Sequence, residues 1–213
     1  MKEEIEEEIK SLIHQDIDWD YLLQISAKHR LTPLLYWQLN SVCFDSVPPE
    51  IMERLKTYFN ENARRNLLFM GELQRILNLF EDQGIMAIPY KGPILATQAY
   101  GNLVFREFSD LDIFIQKKDF LKVKELLLAN DFDTQFRLEG SQERKYLQSQ
   151  REYKFINSET NINLEIHWNF TGLSFSGDWN YFLNEQNYQQ TKTGIFNLKP
   201  EDMFLVLCIH ASG

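Results

Sequence analysis

Cysteine is almost missing from this chain. Cys43 and Cys208 are the only two; they lie far apart and outside any CxxC pattern, so neither a disulfide framework nor a zinc site is indicated, and both are expected to be reduced and structural. Long apolar runs are missing too. No stretch reaches the roughly 18 residues that cross a bilayer, and Met1-Lys2-Glu3-Glu4 is acidic where a secretory signal is basic and then apolar. A cytoplasmic chain with no membrane partner is expected. Positive charge is in short supply: 22 Lys and Arg face 31 Asp and Glu, a net charge of −9. That balance disfavours a broad footprint on a long nucleic acid, while a local basic cleft can still hold a nucleotide or an RNA end. Repeats and low-complexity tracts are also lacking. What is present is ordinary for a globular protein: 44% hydrophobic and 14% aromatic residues over 213 positions supply a packed core of one or two domains.

The first third reads as helices. Ile5, Ile9, Leu12 and Ile13 form one stripe between Glu3 and Ile13, and Tyr21, Leu22, Ile25 and Ala27 repeat the pattern from Asp18 to Arg30. Pro33 opens a third short helix, Leu34 to Leu39. From Glu50 to Phe80 the apolar positions fit one long helix or two joined end to end, stopped at Gly84. The period then changes. A short strand is expected over 85–88, with Pro89 marking an edge position or an early end. A two-turn helix follows from Pro93 to Tyr100, then a strand from Ser109 to Ile115 and a helix from Asp119 to Ala129. Glu152 to Ile156 and Ile162 to Trp168 flank a turn-rich segment and read as a hairpin. The stretch from Gly140 to Gln150 reads as a polar, mobile connection, Thr171 to Tyr188 as aromatic but aperiodic, and Leu198 to Ala211 as a closing helix. The expectation is an α+β fold: a helical region over 1–83, an α+β domain over 84–190 with a small mixed sheet, and the start of a further helical region over 191–213.

Asp-x-Asp spacing occurs at Asp16/Asp18, Asp18/Asp20, Asp110/Asp112 and Asp131/Asp133, so spacing alone identifies nothing. The Asp110 and Asp112 pair stands apart because it alternates with Leu111, Ile113 and Ile115. On a strand, both carboxylates then share one face and the branched apolar residues the other, the acids starting about 6.6 Å apart. Paired acids on a partly buried face repel unless a cation neutralises them. In the second hairpin strand, Asn163, Glu165 and His167 share a face, and Glu165 completes an acidic triad if that strand lies beside the first. Three oxygen donors suit Mg²⁺, with Mn²⁺ the alternative. Taken alone, Glu165 is an exposed strand residue, and His167 is either a core histidine or a contact to metal or phosphate. Lys91-Gly92-Pro93 joins a strand to a helix. Gly92 permits close backbone approach to an anion and Lys91 brings charge, although Pro93 lacks one donor. Arg106 is the nearest further basic residue.

These residues carry a resemblance. The run KGPILATQAYGNLVFREFSDLDIFI from Lys91 to Ile115, then NLEIHW and a helix ending LCIHA, resembles the uncharacterised nucleotidyltransferase family within the DNA polymerase β-like superfamily. The likeness extends to LTPLLYWQL and the leucine-rich helix before Gly84. It implies a polymerase β-like domain and Mg²⁺-dependent transfer of a nucleoside monophosphate from a nucleoside triphosphate to a hydroxyl. Asp110, Asp112 and Glu165 match the catalytic, metal-holding acids, with Lys91, Gly92, Arg106, Ser109 and His167 on the nucleotide. The acceptor is left open among an RNA end, a small molecule and a protein. Two departures stand out: Gly92-Pro93 replaces the superfamily's Gly-Ser, and the family's following helical region is expected to continue past Gly213. The rival expectation is a catalytically inactive module of the same fold, acting through a protein partner.

Overall fold

A computed structural model of the chain describes residues 2–136, 138, 140–169, 181–182, 188–190 and 195–211. The expectation for Thr171 to Tyr188 falls almost wholly outside the described residues. The fold is α+β, and it divides into two compact units: residues 1–68 with 99–108, and residues 69–98 with 109–213.

In the first unit, α1 (Lys2–Ile13), α2 (Trp19–Lys28), α3 (Thr32–Val42) and the first part of α4 (Pro49–Glu81) build a helical core. Leu39, Cys43, Val47, Ile51, Met52 and Leu55 are its buried centre, with Ile9, Ile13, Trp19 and Leu23 packed against them. Asp18 caps α2 by accepting from the Tyr21 amide at 3.0 Å, and Pro33 opens α3 where a missing N–H costs nothing. The helix expected over 34–39 is longer at both ends. Between Glu50 and Phe80 the structure has one continuous helix. Asn66, fully buried on it, donates to the Leu103 and Arg106 carbonyls at 2.8 Å each, and so pins the segment that carries Arg106.

The second unit is built on a five-stranded mixed sheet in the order β1-β2-β5-β4-β3. Its strands are β1 (Ala87–Pro89), β2 (Asp110–Ile115), β3 (Phe132–Thr134), β4 (Glu152–Asn157) and β5 (Asn163–His167). β1 is an edge strand, where Pro89 forfeits no ladder bond the sheet needs. β4 and β5 form the expected hairpin. Its turn closes through Asn157, whose Oδ1 accepts from the Glu159 and Thr160 amides, and through Asn161 in the left-handed region at φ 57°. β2 and β5 run parallel, so Asp112 lies directly beside Glu165. Leu111, Ile113, Ile115, Leu164 and Ile166 are buried on one face. There, Phe120 of α6 (Phe120–Leu128) meets the Tyr153 and Trp168 rings at 5.3 and 5.0 Å. α5 (Gly92–Tyr100) and α8 (Pro200–Ala211) match the expected helices, and β6 (Tyr188–Gln190) pairs with β7 (Phe196–Leu198).

Two features correct the sequence reading. Residues 140–149 are a helix, α7 (Gly140–Ser149), rather than a mobile connection. Its polarity conceals tertiary anchors: Glu143 pairs with Lys124 of α6, and the Tyr146 ring packs edge-on to Tyr153. Strand β3 was not expected, because three residues with one buried side chain, Phe132, are too short for a period. Both cysteines are free thiols, and Cys43 is buried in the first unit as expected while Cys208 is exposed. Among the described residues, no helix is long and apolar enough to cross a membrane.

Candidate active site

The site sits on the polar face of the sheet because the strands alternate. The residues Leu111, Ile113, Leu164 and Ile166 bury one side at roughly 1.5 to 3 kcal/mol per side chain, which fixes the register and forces Asp112, Glu165 and His167 onto the other side. Strand β4 adds Glu152 opposite His167 and Lys154 opposite Glu165. Tyr90, fully buried just after β1, makes a T-shaped contact with His167, ring centroids 5.3 Å apart.

Asp112 is the most enclosed acid, its side chain 1% exposed. Its Oδ1 accepts from Lys91 Nζ at 2.8 Å and lies 3.2 Å from His167 Nε2. Its Oδ2 is buried and has no hydrogen-bond partner among the described residues. Glu165 offers Oε1 to Lys154 Nζ at 2.6 Å and Oε2 to His167 Nε2 at 3.5 Å. Lys154 also reaches Glu152 Oε1 at 3.4 Å, and Glu152 Oε2 stands 3.5 Å from His167 Nδ1. Donor atoms of Asp112, Glu165 and His167 all lie within 4.8 Å of one another, close enough to share one ion. Two carboxylates and an imidazole are a metal-ligating set, and the buried oxygen of Asp112 lacks the partner that a cation supplies.

Charge balance sets the protonation states. Burial pushes the Asp112 carboxyl up, but the His167 hydrogen bond and charge, with Lys91, overcome it and bring the pKa down to about 2. The hydrogen bond to His167 leads in lowering Glu165 to about 2 as well, against burial and with help from Lys154. Burial alone would lower His167, yet its bonds to Asp112 and Glu165 raise it above the usual imidazole value. Both acids are depressed from 3.8 and 4.5, so their stabilisation is complete above about pH 4.5 and is lost as pH falls towards 2. In EDTA, urea denaturation of the protein should therefore show stability falling steadily between pH 4.5 and 2. An Asp112→Asn protein with the same acid profile would contradict these interactions.

Of the residues singled out in the sequence, Asp112, Glu165, His167 and Lys91 come together. Asp110 lies two residues before Asp112 on the same face, beside Asn163. With Glu165, Lys154, Asn163 and Gln135 it lines a surface hollow of about 390 Å³. Gly92 is buried at the start of α5 with φ 50°, where a side chain would strain the backbone. Ser109 is exposed immediately before β2. Arg106 belongs to the first unit, its guanidinium 5.9 Å from the Phe108 ring centroid. Sequence reasoning passed over Glu152, Lys154 and Tyr90. The first two were within reach: once 152–156 is read as a hairpin strand, its own alternation puts Glu152 and Lys154 on the face of Glu165. Tyr90 carried no signal, since it follows a three-residue strand.

Compared with known proteins, residues 15–213 match the family described as uncharacterised nucleotidyltransferase. No curated protein and no solved structure matches the chain. The match spans nearly all of both units and includes every residue of the acidic cluster. The chain therefore belongs to the uncharacterised nucleotidyltransferase family, whose reaction class is nucleotidyl transfer from a nucleoside triphosphate.

Proposed function

We propose that the chain moves a nucleoside monophosphate from a nucleoside triphosphate to a hydroxyl acceptor, and that the step needs a divalent cation held by Asp112 and Glu165, with Asp110 beside them. The observation that carries this reading is Asp112: a carboxylate 1% exposed, with one oxygen unpartnered among the described residues, set directly beside a second acid. Lys91 and His167 meet only its Oδ1, so the cost of burying Oδ2 without a partner is the part that a cation would offset.

In the reaction the acceptor hydroxyl loses its proton to solvent, its oxygen bonds to the α-phosphorus, the bond from that phosphorus to the bridging oxygen breaks, and pyrophosphate leaves. A bound cation supplies Lewis-acid stabilisation of the attacking and leaving oxygens. Glu165, with its pKa brought to about 2, is a weak base at neutral pH; its part is to stay ionised and hold its place. Lys91, which donates to Asp112 at 2.8 Å, is the cation this reading assigns to offsetting phosphate charge. Gly92 lets the chain turn tightly at the start of α5, and Arg106 and Ser109 are assigned to the triphosphate as the sequence motif implies. The hollow lined by Asp110, Glu165 and Lys154 is assigned to the acceptor.

The test incubates the protein with each α-labelled triphosphate, Mg²⁺ or Mn²⁺, and cell extract. Label should move to an acceptor with release of pyrophosphate, and EDTA should stop it. Absence of both products with all four triphosphates in either metal would end the enzymatic reading.

One observation favours a second reading, an inactive module of the same fold: Lys91 and Lys154 already neutralise both acids within the chain. Calorimetry with ATP, CTP, GTP and UTP separates the two. Metal-dependent triphosphate binding supports the enzyme, and no binding by any of the four supports the module.

A further inference from the structure

The choice of ion can be taken further, on the basis of the metal-dependent reading above. We propose that His167 is itself a metal ligand, oriented from behind by Glu152, and that the site consequently takes a first-row transition-metal dication in preference to Mg²⁺.

His167 is fully buried on the central strand, between β2 and β4. Nε2 points between two carboxylates, 3.2 Å from Asp112 Oδ1 and 3.5 Å from Glu165 Oε2. Ligand atoms held about 2.1 Å from one ion stand about 3.0 Å apart at an octahedral edge and about 3.4 Å at a tetrahedral one. The two separations made by His167 Nε2 are therefore already close to those of ligands on one cation, and the three donors together lie within 4.8 Å. On the other side of the ring, Nδ1 faces Glu152 Oε2 at 3.5 Å. At 3.5 Å this contact is just beyond a hydrogen bond, and closing the gap on metal binding would fix ring orientation and raise ligand basicity. The Tyr90 ring lies nearly perpendicular to the imidazole, with centroids 5.3 Å apart.

This donor set decides between cations. Mg²⁺ is hard, prefers oxygen and gives up water reluctantly, so a neutral imidazole adds little to its binding. First-row transition ions accept nitrogen, and Mn²⁺ is the weakest binder among them. A preference for Mn²⁺ over Mg²⁺ is thus the most demanding form of the proposal, and Mn²⁺ is also visible by magnetic resonance.

The experiment titrates the purified full chain with MnCl₂ and with MgCl₂ by calorimetry, then records pulsed electron paramagnetic resonance of the Mn²⁺ form. Mn²⁺ should bind at least tenfold more tightly than Mg²⁺, and the spectrum should contain a ¹⁴N coupling from a directly bound imidazole. In His167→Gln that coupling should vanish and Mn²⁺ affinity should fall roughly 10- to 100-fold, with Mg²⁺ affinity moving less than about threefold. Glu152→Gln should keep the coupling and lose about tenfold in Mn²⁺ affinity. A wild-type Mn²⁺ spectrum without nitrogen coupling, or equal affinities for the two ions, overturns the proposal without recourse to a variant. The two readings fail separately: nitrogen-coupled Mn²⁺ binding without nucleotide transfer refutes the activity and leaves the ligand, whereas Mg²⁺-supported transfer without the coupling refutes the ligand alone.

Discussion

Asp112→Asn is expected to lower nucleotide transfer by on the order of 1000-fold, through kcat, in a protein that still folds below its melting temperature. The substitution keeps the size of the side chain and removes its charge. Lys91, at 2.8 Å, would then face an amide in place of an anion, and the ion-binding cluster would lose its most enclosed oxygen donor. Stability should fall too, because breaking a buried ion pair by removing one partner leaves the other uncompensated, at about 3 to 5 kcal/mol in an enclosed setting. Lys91 is partly exposed at 17%, which places the cost below that range. Kinetics at saturating triphosphate, beside a urea melt of each protein, separate the two effects. Turnover within tenfold of wild type would remove Asp112 from the reaction. Asp110→Asn is the companion variant: Asp110 is the less buried of the pair and outside the tightest cluster, and unchanged turnover would show that it holds no ion.

The largest effect on stability is expected at Phe120→Ala, a loss of about 3 to 5 kcal/mol. Phe120 is fully buried and meets both Tyr153 and Trp168, which flank the two hairpin strands on their apolar face. Truncation leaves a cavity that two large rings cannot refill without leaving their positions. Denaturant unfolding should show a lower midpoint and an unchanged slope. A loss under about 1 kcal/mol would mean that the face carrying no acids is not what holds the strands in register.

Much of this arrangement was legible because it depends on alternation. Leu111, Ile113 and Ile115 against Asp110 and Asp112 fix both the strand and the face on which the acids sit, and Leu164, Ile166 and Trp168 do the same for Glu165 and His167. The other Asp-x-Asp pairs show why spacing by itself was empty: Asp18 caps a helix, Asp20 pairs with Arg54, and Asp131 occupies a left-handed turn at φ 65°. Less legible were features set by tertiary partners. The helix over 140–149 looks like a loop because its anchors, Lys124 and Tyr153, lie elsewhere in the sequence. That His167 would face acids on both sides depends on its strand lying between β2 and β4 with the observed register, which no local pattern states.

The order of strands has a consequence for biogenesis. Of the five in the main sheet, β5 is the last to be synthesised, yet its place is in the middle, with β2 on one side and β4 on the other. A nascent chain that has emerged only as far as residue 157 carries Asp112 with neither Glu165 nor His167 to meet it. Any ion capture by this fold must therefore await a late, long-range strand insertion, the slow kind of contact in folding. Ribosome-bound fragments ending before Asn163 should be unable to retain Mn²⁺.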